Sequence, residues 1–466
     1  MNQVFDRMIR NGKVVLPGGT YKRDIGIIDG KIAAISPSLA DSAADEVLDA
    51  EGQYVLPGMI DIHVHFNEPN FGHWEGFATG SAALAAGGCT TYVDMPLNGN
   101  PPTVTPEALA LKGNLAVGNS SVDYAFWGGL VPGKLDQLEK MAALGVRGFK
   151  AFMSNPGGEG EGRFREVDDL TLYEGMQRIA ALGGFVALHA ESDAITSQLA
   201  ERAIREGRTD ARAFVASRPV IAELEAVNKA ILFSEQTGCE VHFVHISSTQ
   251  AIELIDQAKK RGVKVTVETC PHYLVLTDED MANIGPAAKC APPLRSAEQQ
   301  DGLWRLIAEG KLDVIASDHS PCPPELKFSE ELTFFEAWGG IAGAQNSLEL
   351  VFDEGYIKRH IPLHQLVELL SAGPAKRFGL YPQKGAIAEG ADADLVFVDA
   401  SHSYTLTEEH LQQRHKISPY LGREFACKVT TTLVRGLTVY TEEQGVHPAS
   451  QGQLLLKSVN APQQTP

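Results

Sequence analysis

Short apolar runs alternate with helical patterns through the middle of the chain, from residue 57 to residue 375. Helical periodicity is clear in DLTLYEGMQRIAALG and STQAIELIDQAKKRG, which lie between the apolar runs. Eight runs predict buried strands: PGMIDIHVHF, TTYVDMP, DYAFWGGL, VRGFKAFM, FVALHAE, EVHFVHIS, KVTVETCPHY and DVIASDHSP. Buried strands that alternate with helices are typical of a parallel sheet, and eight such units predict a (β/α)8 TIM barrel. In that fold, functional residues collect at the C-terminal ends of the strands.

Both ends of the chain have a different pattern. The segment MIRNGKVVLPGGTYKRDIGIIDGKIAAIS alternates short β runs with turn signals, which is typical of hairpins. From about residue 376 the alternation of short β runs and turn signals returns, and LVRGLTVY near the C-terminus resembles MIRNGKVV near the N-terminus. We therefore predict one small β-sandwich domain built from residues 1–56 and 376–466, beside a barrel formed by residues 57–375.

The composition limits which partners the protein is expected to bind and in which cellular compartment it is expected to work. The 466 residues carry a net charge of −19, which works against phosphate backbones and anionic membranes, so we expect no nucleic-acid or membrane partner. Six cysteines without a CxxC spacing favour free thiols in a reducing cytoplasm. No secretory leader and no long apolar stretch is recognisable, and VNAPQQTP at the C-terminus is typical of a disordered tail.

Side chains that can bind a metal stand at the ends of five predicted strands. Each one alone has a structural explanation: a histidine can be a satisfied core residue, a lysine can extend to solvent, and an aspartate can cap a turn. The set is His63 and His65 on the first strand, Lys150 on the fourth, His189 on the fifth, His245 on the sixth and Asp318 on the eighth. Convergence of all six at one end of a barrel favours a metal site, because buried ionisable groups need partners.

The number of these ligands suggests two metal ions rather than one. His63 and His65 share a face of their strand, since side chains at i and i+2 point the same way. Four histidines and a carboxylate exceed the four ligands of one tetrahedral zinc. Two ions about 3.5–4 Å apart need a bridging anion, and Lys150 converted by CO2 into a carbamate would supply one.

The ordered set of an HxH motif, a lysine, two further histidines and an aspartate resembles the amidohydrolase superfamily, in its cyclic-amidohydrolase branch. The resemblance covers nearly the whole chain. It implies that His63, His65 and Asp318 hold one metal, that His189 and His245 hold the other, and that Lys150, as N6-carboxylysine, bridges them. It further implies a metal-activated hydroxide as nucleophile and Asp318 as the group that moves its proton to the leaving nitrogen.

The residues around the motif bear on the substrate. Dihydroorotases carry an arginine two positions after the second histidine, where it pairs with the ring carboxylate; here that position is Asn67, which suits an uncharged ring. Hydantoinases and dihydropyrimidinases carry a tyrosine five residues after the bridging lysine as an oxyanion donor; here Asn155 stands there, with Ser154 beside it.

Several segments look like those of allantoinases, namely HVHFNEP, GFATGSAALAAGGCTTYVDMPLN, RFREVDD, CAPPLR and SDHSPC. This resemblance implies hydrolysis of the ring amide of (S)-allantoin to allantoate, a step of purine (ureide) breakdown. The pocket candidates that it implies are Asn67, Asn98, Ser154, Cys290, Ser317 and Trp338. Structural explanations stay open for three of them, since Cys290 and Trp338 can be packing residues and Ser317 can orient Asp318.

Other interpretations remain. A hydantoinase or dihydropyrimidinase is the near alternative, and a scaffold protein that has lost catalysis is the distant one, although all six metal-site residues are present. His242 is expected to face away from His245 in a structural role, while His272 and His319 match no ligand position and can serve around the site or the substrate. Zinc is the default metal for such ligands, with cobalt, manganese or iron as alternatives, and the family resemblance implies a homotetramer.

Overall fold

The computed structural model describes residues 4–40, 42–157, 162–447 and 452–455. The tail predicted to be disordered lies outside these residues. The strands up to the centre of the chain are β1 (Val4–Leu16), β2 (Gly19–Ile28), β3 (Lys31–Ser36), β4 (Ala43–Asp49), β5 (Tyr54–Pro57), β6 (Met59–Val64), β7 (Cys89–Asp94), β8 (Asp123–Phe126), β9 (Gly128–Gly129) and β10 (Gly148–Phe152). The later strands are β11 (Phe185–His189), β12 (Glu240–Phe243), β13 (Val265–Thr269), β14 (Val314–Ile315), β15 (Leu395–Asp399), β16 (Tyr404–Thr405), β17 (Glu424–Phe425), β18 (Lys428–Val434), β19 (Leu437–Thr441) and β20 (Gly445–Val446).

The helices lie mainly between the central strands. They are α1 (Phe77–Ala86), α2 (Pro106–Ala116), α3 (Leu138–Ala143), α4 (Asp169–Ala181), α5 (Asp193–Arg205), α6 (Ala211–Ser217), α7 (Val220–Thr237), α8 (Thr249–Lys260), α9 (Pro271–Val275), α10 (Asp278–Ile284), α11 (Ala297–Ala308), α12 (Glu325–Phe328), α13 (Ser347–Val351), α14 (Leu363–Val367) and α15 (Gly373–Phe378). The two helical patterns read from the sequence form α4 and α8. Asp168 caps α4 by accepting a hydrogen bond from the Thr171 backbone N–H, which fixes where that helix begins. Among the described residues, no helix combines the length and the apolar character needed to cross a bilayer.

The two chain ends share one large sheet. Its strand order is β20-β19-β18-β15-β5-β1-β2-β3, with β4 paired to β1. The link between the ends is the antiparallel pairing of β15 with β5, in which Val396 lies opposite Leu56. This sheet forms the accessory β domain expected from the hairpin patterns, while the domain limits at residues 56 and 376 stay a prediction.

The central strands are parallel, and the predicted fold class of a barrel with a β domain is confirmed. Strands β6 to β8 pair in chain order, and so do β9 to β14. A parallel bridge between Val64 and His319 connects the end of β6 to the segment after β14. Each of the eight predicted runs contains at least one observed strand. The observed strands are shorter than the runs, because the polar residues at their C-terminal ends lie in irregular backbone or, after β13, in the short helix α9.

Candidate metal centre

The six predicted metal-site residues lie at the C-terminal side of the central strands. His63 is in β6, Lys150 in β10 and His189 at the end of β11, whereas the other three follow strand ends: His65 after β6, His245 after β12 and Asp318 after β14. Register between β10 and β11 places Phe152 opposite His189. The parallel pairing of the strands, with the bridge between Val64 and His319, brings residues that are far apart in sequence to one edge of the barrel.

His63 and His65 converge on one carboxylate. The Nε2 atoms of His63 and His65 lie 3.1 Å and 3.3 Å from Asp318 Oδ1. One candidate ligand atom each from His63, His245 and Asp318 also lies within 4.8 Å of the others. The fold therefore gathers two histidine nitrogens around one oxygen of Asp318, with His245 close by.

His189 and His245 form the second group. His189 Nδ1 lies 3.0 Å from His245 Nε2. Burial lowers the pKa of His189 and lowers that of His245 further, so both rings are neutral near pH 7. The other nitrogen of His189, Nε2, lies 2.8 Å from Glu191 Oε2 and donates its proton there. That tautomer, inferred from the partners, leaves a lone pair on Nδ1 facing His245.

Lys150 is a fully buried amine between these groups. Its Nζ has no hydrogen-bond partner within the described residues and lies 4.9 Å from the centre of the Phe152 ring. Burial lowers the pKa of Lys150 to about 8, against the opposing effect of Asp318 and Glu268. An isolated buried amine of this kind is costly unless it is neutral or converted to another group.

These observations fit a pair of divalent cations. Neutral imidazole nitrogens and a carboxylate are the ligands that zinc and related metals prefer. His189 and His245 place two ring nitrogens 3.0 Å apart, and the Lys150 amine has no partner among the described residues, which is the arrangement expected of ligands around cations. The donor set therefore supports a metal centre.

Glu268 is a candidate functional residue that was not predicted from the sequence. It lies on β13, and its Oε1 is 2.7 Å from His63 Nδ1 and accepts the His245 backbone N–H at 3.1 Å, while its Oε2 is 3.2 Å from His242 Nε2. Burial raises the pKa of Glu268, but His63 and His242 outweigh burial and lower it to about 2. The ionised carboxylate orients His63 so that Nε2 points at Asp318, which is the usual work of a carboxylate behind a metal-binding histidine. One hint of this role was present in the sequence, because Glu268 is the single acidic residue in the run VTVETC.

Glu191 and Arg218 were missed as well. Arg218 pairs with Glu191 Oε2, the same oxygen that lies beside His189. Burial raises the pKa of Glu191, but Arg218 and His189 outweigh burial and lower it to about 2. His189 is thus oriented by an ionised carboxylate just as His63 is. The sequence signal for Glu191 was only its position two residues after His189 in the HAE tripeptide, since β11 ends at His189 and the contact between the two side chains is seen only in the structure.

A small cavity of about 100 Å³ opens onto the metal-site residues. Of the six pocket candidates, Asn98 and Trp338 line it, and Asn98 Nδ2 lies 3.4 Å from His65 Nδ1. Arg218 and Asn155 also line it, so the position that holds a tyrosine in hydantoinases faces the cavity here as an asparagine.

The other four pocket candidates are buried without lining this cavity. Asn67 donates to the Pro321 carbonyl at 3.3 Å, and Ser317 Oγ accepts the His319 N–H at 3.1 Å. Ser154 and Cys290 are almost completely buried. Their role in substrate binding stays a prediction.

The three unassigned histidines occupy distinct buried positions. His242 lies 2.8 Å from Thr266 Oγ1 as well as near Glu268, so it does not point away from the His245 side as the sequence analysis expected. The reason is that β12 ends at Phe243, so strand alternation does not extend to His245. His319 Nδ1 accepts the Ala344 N–H at 3.3 Å. Both ring nitrogens of His272 lack a partner among the described residues, and burial lowers its pKa to about 4.

Comparison with known proteins shows to which class of proteins the chain belongs. The pattern of the family described as "Amidohydrolase family" matches residues 54–439. The chain therefore belongs to the amidohydrolase family.

Individual relatives narrow the class. The chain is 51% identical to an allantoinase from Rubrobacter xylanophilus over 94% of both chains. It is 47% identical to one from Deinococcus radiodurans over 93% of this chain and 95% of the relative, and 44% identical to one from Escherichia coli SE11 over 97% and 99%. Among solved structures, the L-hydantoinase (dihydropyrimidinase) from Arthrobacter aurescens is 36% identical with a TM-score of 0.93, over 97% of this chain and all of that one. The dihydropyrimidinase from Brevibacillus agri is 32% identical with a TM-score of 0.87, over 98% and 99%.

Proposed function

We propose that this protein is an allantoinase, which hydrolyses the hydantoin-ring amide of (S)-allantoin to allantoate in purine (ureide) breakdown. The observation that carries the proposal is the 51% identity to a protein named allantoinase over 94% of both chains. The cavity supports it, because its polar lining offers amides and a guanidinium, through Asn98, Asn155 and Arg218, to a ring dense in donors and acceptors.

The metal centre that we propose uses the six residues described above. His63, His65 and Asp318 would hold one ion, His189 and His245 would hold the other, and Lys150, as the carbamate formed with CO2, would be a ligand to both. Divalent ions in such a site lower the pKa of bound water to near 7 and polarise carbonyl oxygens. Zinc is the first choice for these ligands, with cobalt, manganese and iron as alternatives.

The chain's own residues have separate tasks in this mechanism. Asp318 takes the proton of the attacking water and delivers it to the leaving ring nitrogen, acting as general base and then as general acid. Its carboxylate lies at the junction of His63 and His65, so it is held beside the metal ligands. Glu268 and Glu191 keep His63 and His189, respectively, in their metal-binding tautomers. Asn98, Asn155, Arg218 and Trp338 shape the cavity around the ring.

A hydantoinase or dihydropyrimidinase is the second candidate. The observation that favours it is the TM-score of 0.93 with an L-hydantoinase (dihydropyrimidinase). Identity to that protein is 36%, compared with 51% to the allantoinase from Rubrobacter xylanophilus, so the overall shape supports both functions and the sequence favours allantoin.

The experiment is a side-by-side hydrolysis assay of metal-loaded enzyme on allantoin, dihydrouracil, a 5-substituted hydantoin and dihydroorotate, with metal content measured on the same sample. We expect two ions per chain and a preference for allantoin by orders of magnitude. A preference for dihydrouracil or the hydantoin would replace the first function by the second. A protein without stoichiometric metal and without turnover would indicate the scaffold alternative.

We also propose a cytoplasmic homotetramer. All six cysteines are buried and free, as expected in a reducing compartment. Light scattering coupled to gel filtration measures the assembly state directly, and a mass of one chain would contradict the tetramer.

A further inference from the structure

Two buried lysines lie behind the cavity wall that contains Trp338. Lys289 and Lys327 are each 3% exposed. Within the described residues, neither ammonium lies within ion-pair distance of a carboxylate, and burial lowers the pKa of Lys289 to about 7 and that of Lys327 to about 8. Buried ammonium groups without a counter-charge are costly, so the contacts that they do make need an explanation.

Three of the four backbone carbonyls that the two lysines contact belong to one irregular segment, residues 335–338. Lys289 Nζ donates to the carbonyls of Phe335 at 2.9 Å and Ala337 at 2.5 Å. Lys327 Nζ donates to the carbonyl of Trp338 at 3.0 Å and to that of Pro286 at 2.7 Å. Carbonyls in irregular backbone have no ladder partners, and an ammonium with three donors can hold two of them at once.

The segment ends in the cavity wall. Trp338 and the next residue, Gly339, line the cavity together with Asp318. The indole Nε1 donates to the Ser320 carbonyl at 3.0 Å, and the ring packs edge-on against Trp74 with centroids 4.9 Å apart. A cavity of about 100 Å³ changes shape substantially when one indole moves.

We propose that Lys289 and Lys327 are positioning residues for substrate specificity: by fixing the carbonyls of residues 335, 337 and 338, they hold Trp338 as the wall that selects the ring in the cavity. This inference rests on the proposed function for the identity of the substrate. The geometry of the lysines, the segment and the cavity does not depend on it. Neither lysine touches the substrate, so both act through Trp338.

The test is a comparison of Lys289→Met and Lys327→Met with the native enzyme in the metal-loaded state. Methionine keeps the length and apolar character of the side chain and removes the donors. We expect the ratio of kcat/KM for allantoin to that for dihydrouracil to fall about tenfold in each variant, which corresponds to about 1.4 kcal/mol, because an indole that is no longer held in place discriminates less between the two rings. The change is expected in KM for allantoin, with metal content unchanged.

Lys416→Met is the control for the loss of ammonium–carbonyl contacts away from the cavity, at a lysine that is exposed. The Lys416 ammonium also donates to two backbone carbonyls, those of Leu411 and Gln413, and none of these residues lines the cavity. We expect the control to keep the native ratio. An equal fall in the control would overturn the proposal, because it would show a general effect of losing an ammonium–carbonyl contact.

A double-mutant cycle separates positioning from general support of the fold. If Lys327 acts through the indole, Lys327→Met in a Trp338→Phe background lowers the substrate ratio by much less than it does in the native background. If the effects of Lys327→Met and Trp338→Phe on the substrate ratio are fully additive, Lys327 does not act through the indole and the proposal is refuted. If a methionine variant does not fold, Lys289→Arg and Lys327→Arg keep the charge but displace the same carbonyls, and an unchanged ratio in those variants refutes it as well.

The outcome for the native enzyme distinguishes the two proposals. If the native enzyme prefers dihydrouracil, the allantoinase proposal fails, and the lysine variants are then expected to erode that preference instead. If the native enzyme prefers allantoin and the folded lysine variants keep its full preference, only the positioning role is wrong.

Discussion

Replacement of Glu268 by glutamine is expected to weaken metal binding without changing the shape of the site. Glutamine retains an oxygen that can accept from His63 and from the His245 N–H, and its amide can face His242, whose other nitrogen can then donate to Thr266. What is lost is the negative charge behind His63. Such outer-shell changes typically cost 10- to 100-fold in metal affinity or activity, or about 1.4–2.8 kcal/mol.

The assay is competition for Zn²⁺ against a chromophoric chelator, followed by metal analysis after dialysis. Glu349→Gln is the control: Glu349 is a buried carboxyl that accepts from the Val429 N–H and the Tyr404 hydroxyl, and burial raises its pKa to about 7. A neutral amide replaces such a group at little cost, so its zinc affinity should stay native. Equal zinc affinity in Glu268→Gln and the native enzyme would refute the role of Glu268 in orienting His63.

The same variant tests the charge state of Glu268. In the folded protein its pKa is lowered from 4.5 to about 2, so the carboxylate contributes stability that is present above pH 4.5 and is lost as the pH falls toward 2. The stability difference between the native enzyme and Glu268→Gln, both without metal, should therefore shrink over that window in urea titrations. A difference that is constant with pH would contradict an ionised Glu268.

Three further predictions follow from the metal site and from the sheet that joins the chain ends. Lys150→Ala should lose metal and activity together and regain part of both when a short carboxylate is added; two retained metals with full turnover, measured by metal analysis and steady-state kinetics, would contradict the bridge. Asp318→Asn should lower kcat by about 10²–10⁴-fold and leave KM for allantoin less affected, so near-native turnover would remove Asp318 from proton transfer. Lys384→Met leaves three aspartates (123, 392 and 394) without the buried cation that they share, and should lower the free energy of unfolding by about 3–5 kcal/mol in urea titrations, where a loss below about 1 kcal/mol would contradict it.

The sequence was informative wherever a local pattern carries the signal. Eight apolar runs separated by helical periodicity predicted the barrel, because burial on both faces of a parallel strand makes it continuously apolar. His63 and His65 were recognisable as a pair because the strand period is two. The ends of those strands were predicted too long, since the polar residues that follow the apolar run, such as Asp318 after β14, lie in irregular backbone at the barrel mouth.

The supporting residues depended on closure of the sheet. Glu268 lies 205 positions from His63, and no periodicity in the sequence relates a glutamate on the seventh predicted strand to a histidine on the first. The pairing of Lys289 and Lys327 with the segment that carries Trp338 is equally invisible in the sequence, because it joins side-chain ammonium groups to backbone carbonyls, which have no residue-type signature. The succession of buried strands was thus determined by the sequence through local period, and the motif made the six candidate metal-site residues predictable. That Glu268 orients His63, and that Lys289 and Lys327 hold the carbonyls beside Trp338, was decided only by the tertiary structure, because these contacts arise where the ends of parallel strands meet around a closed barrel.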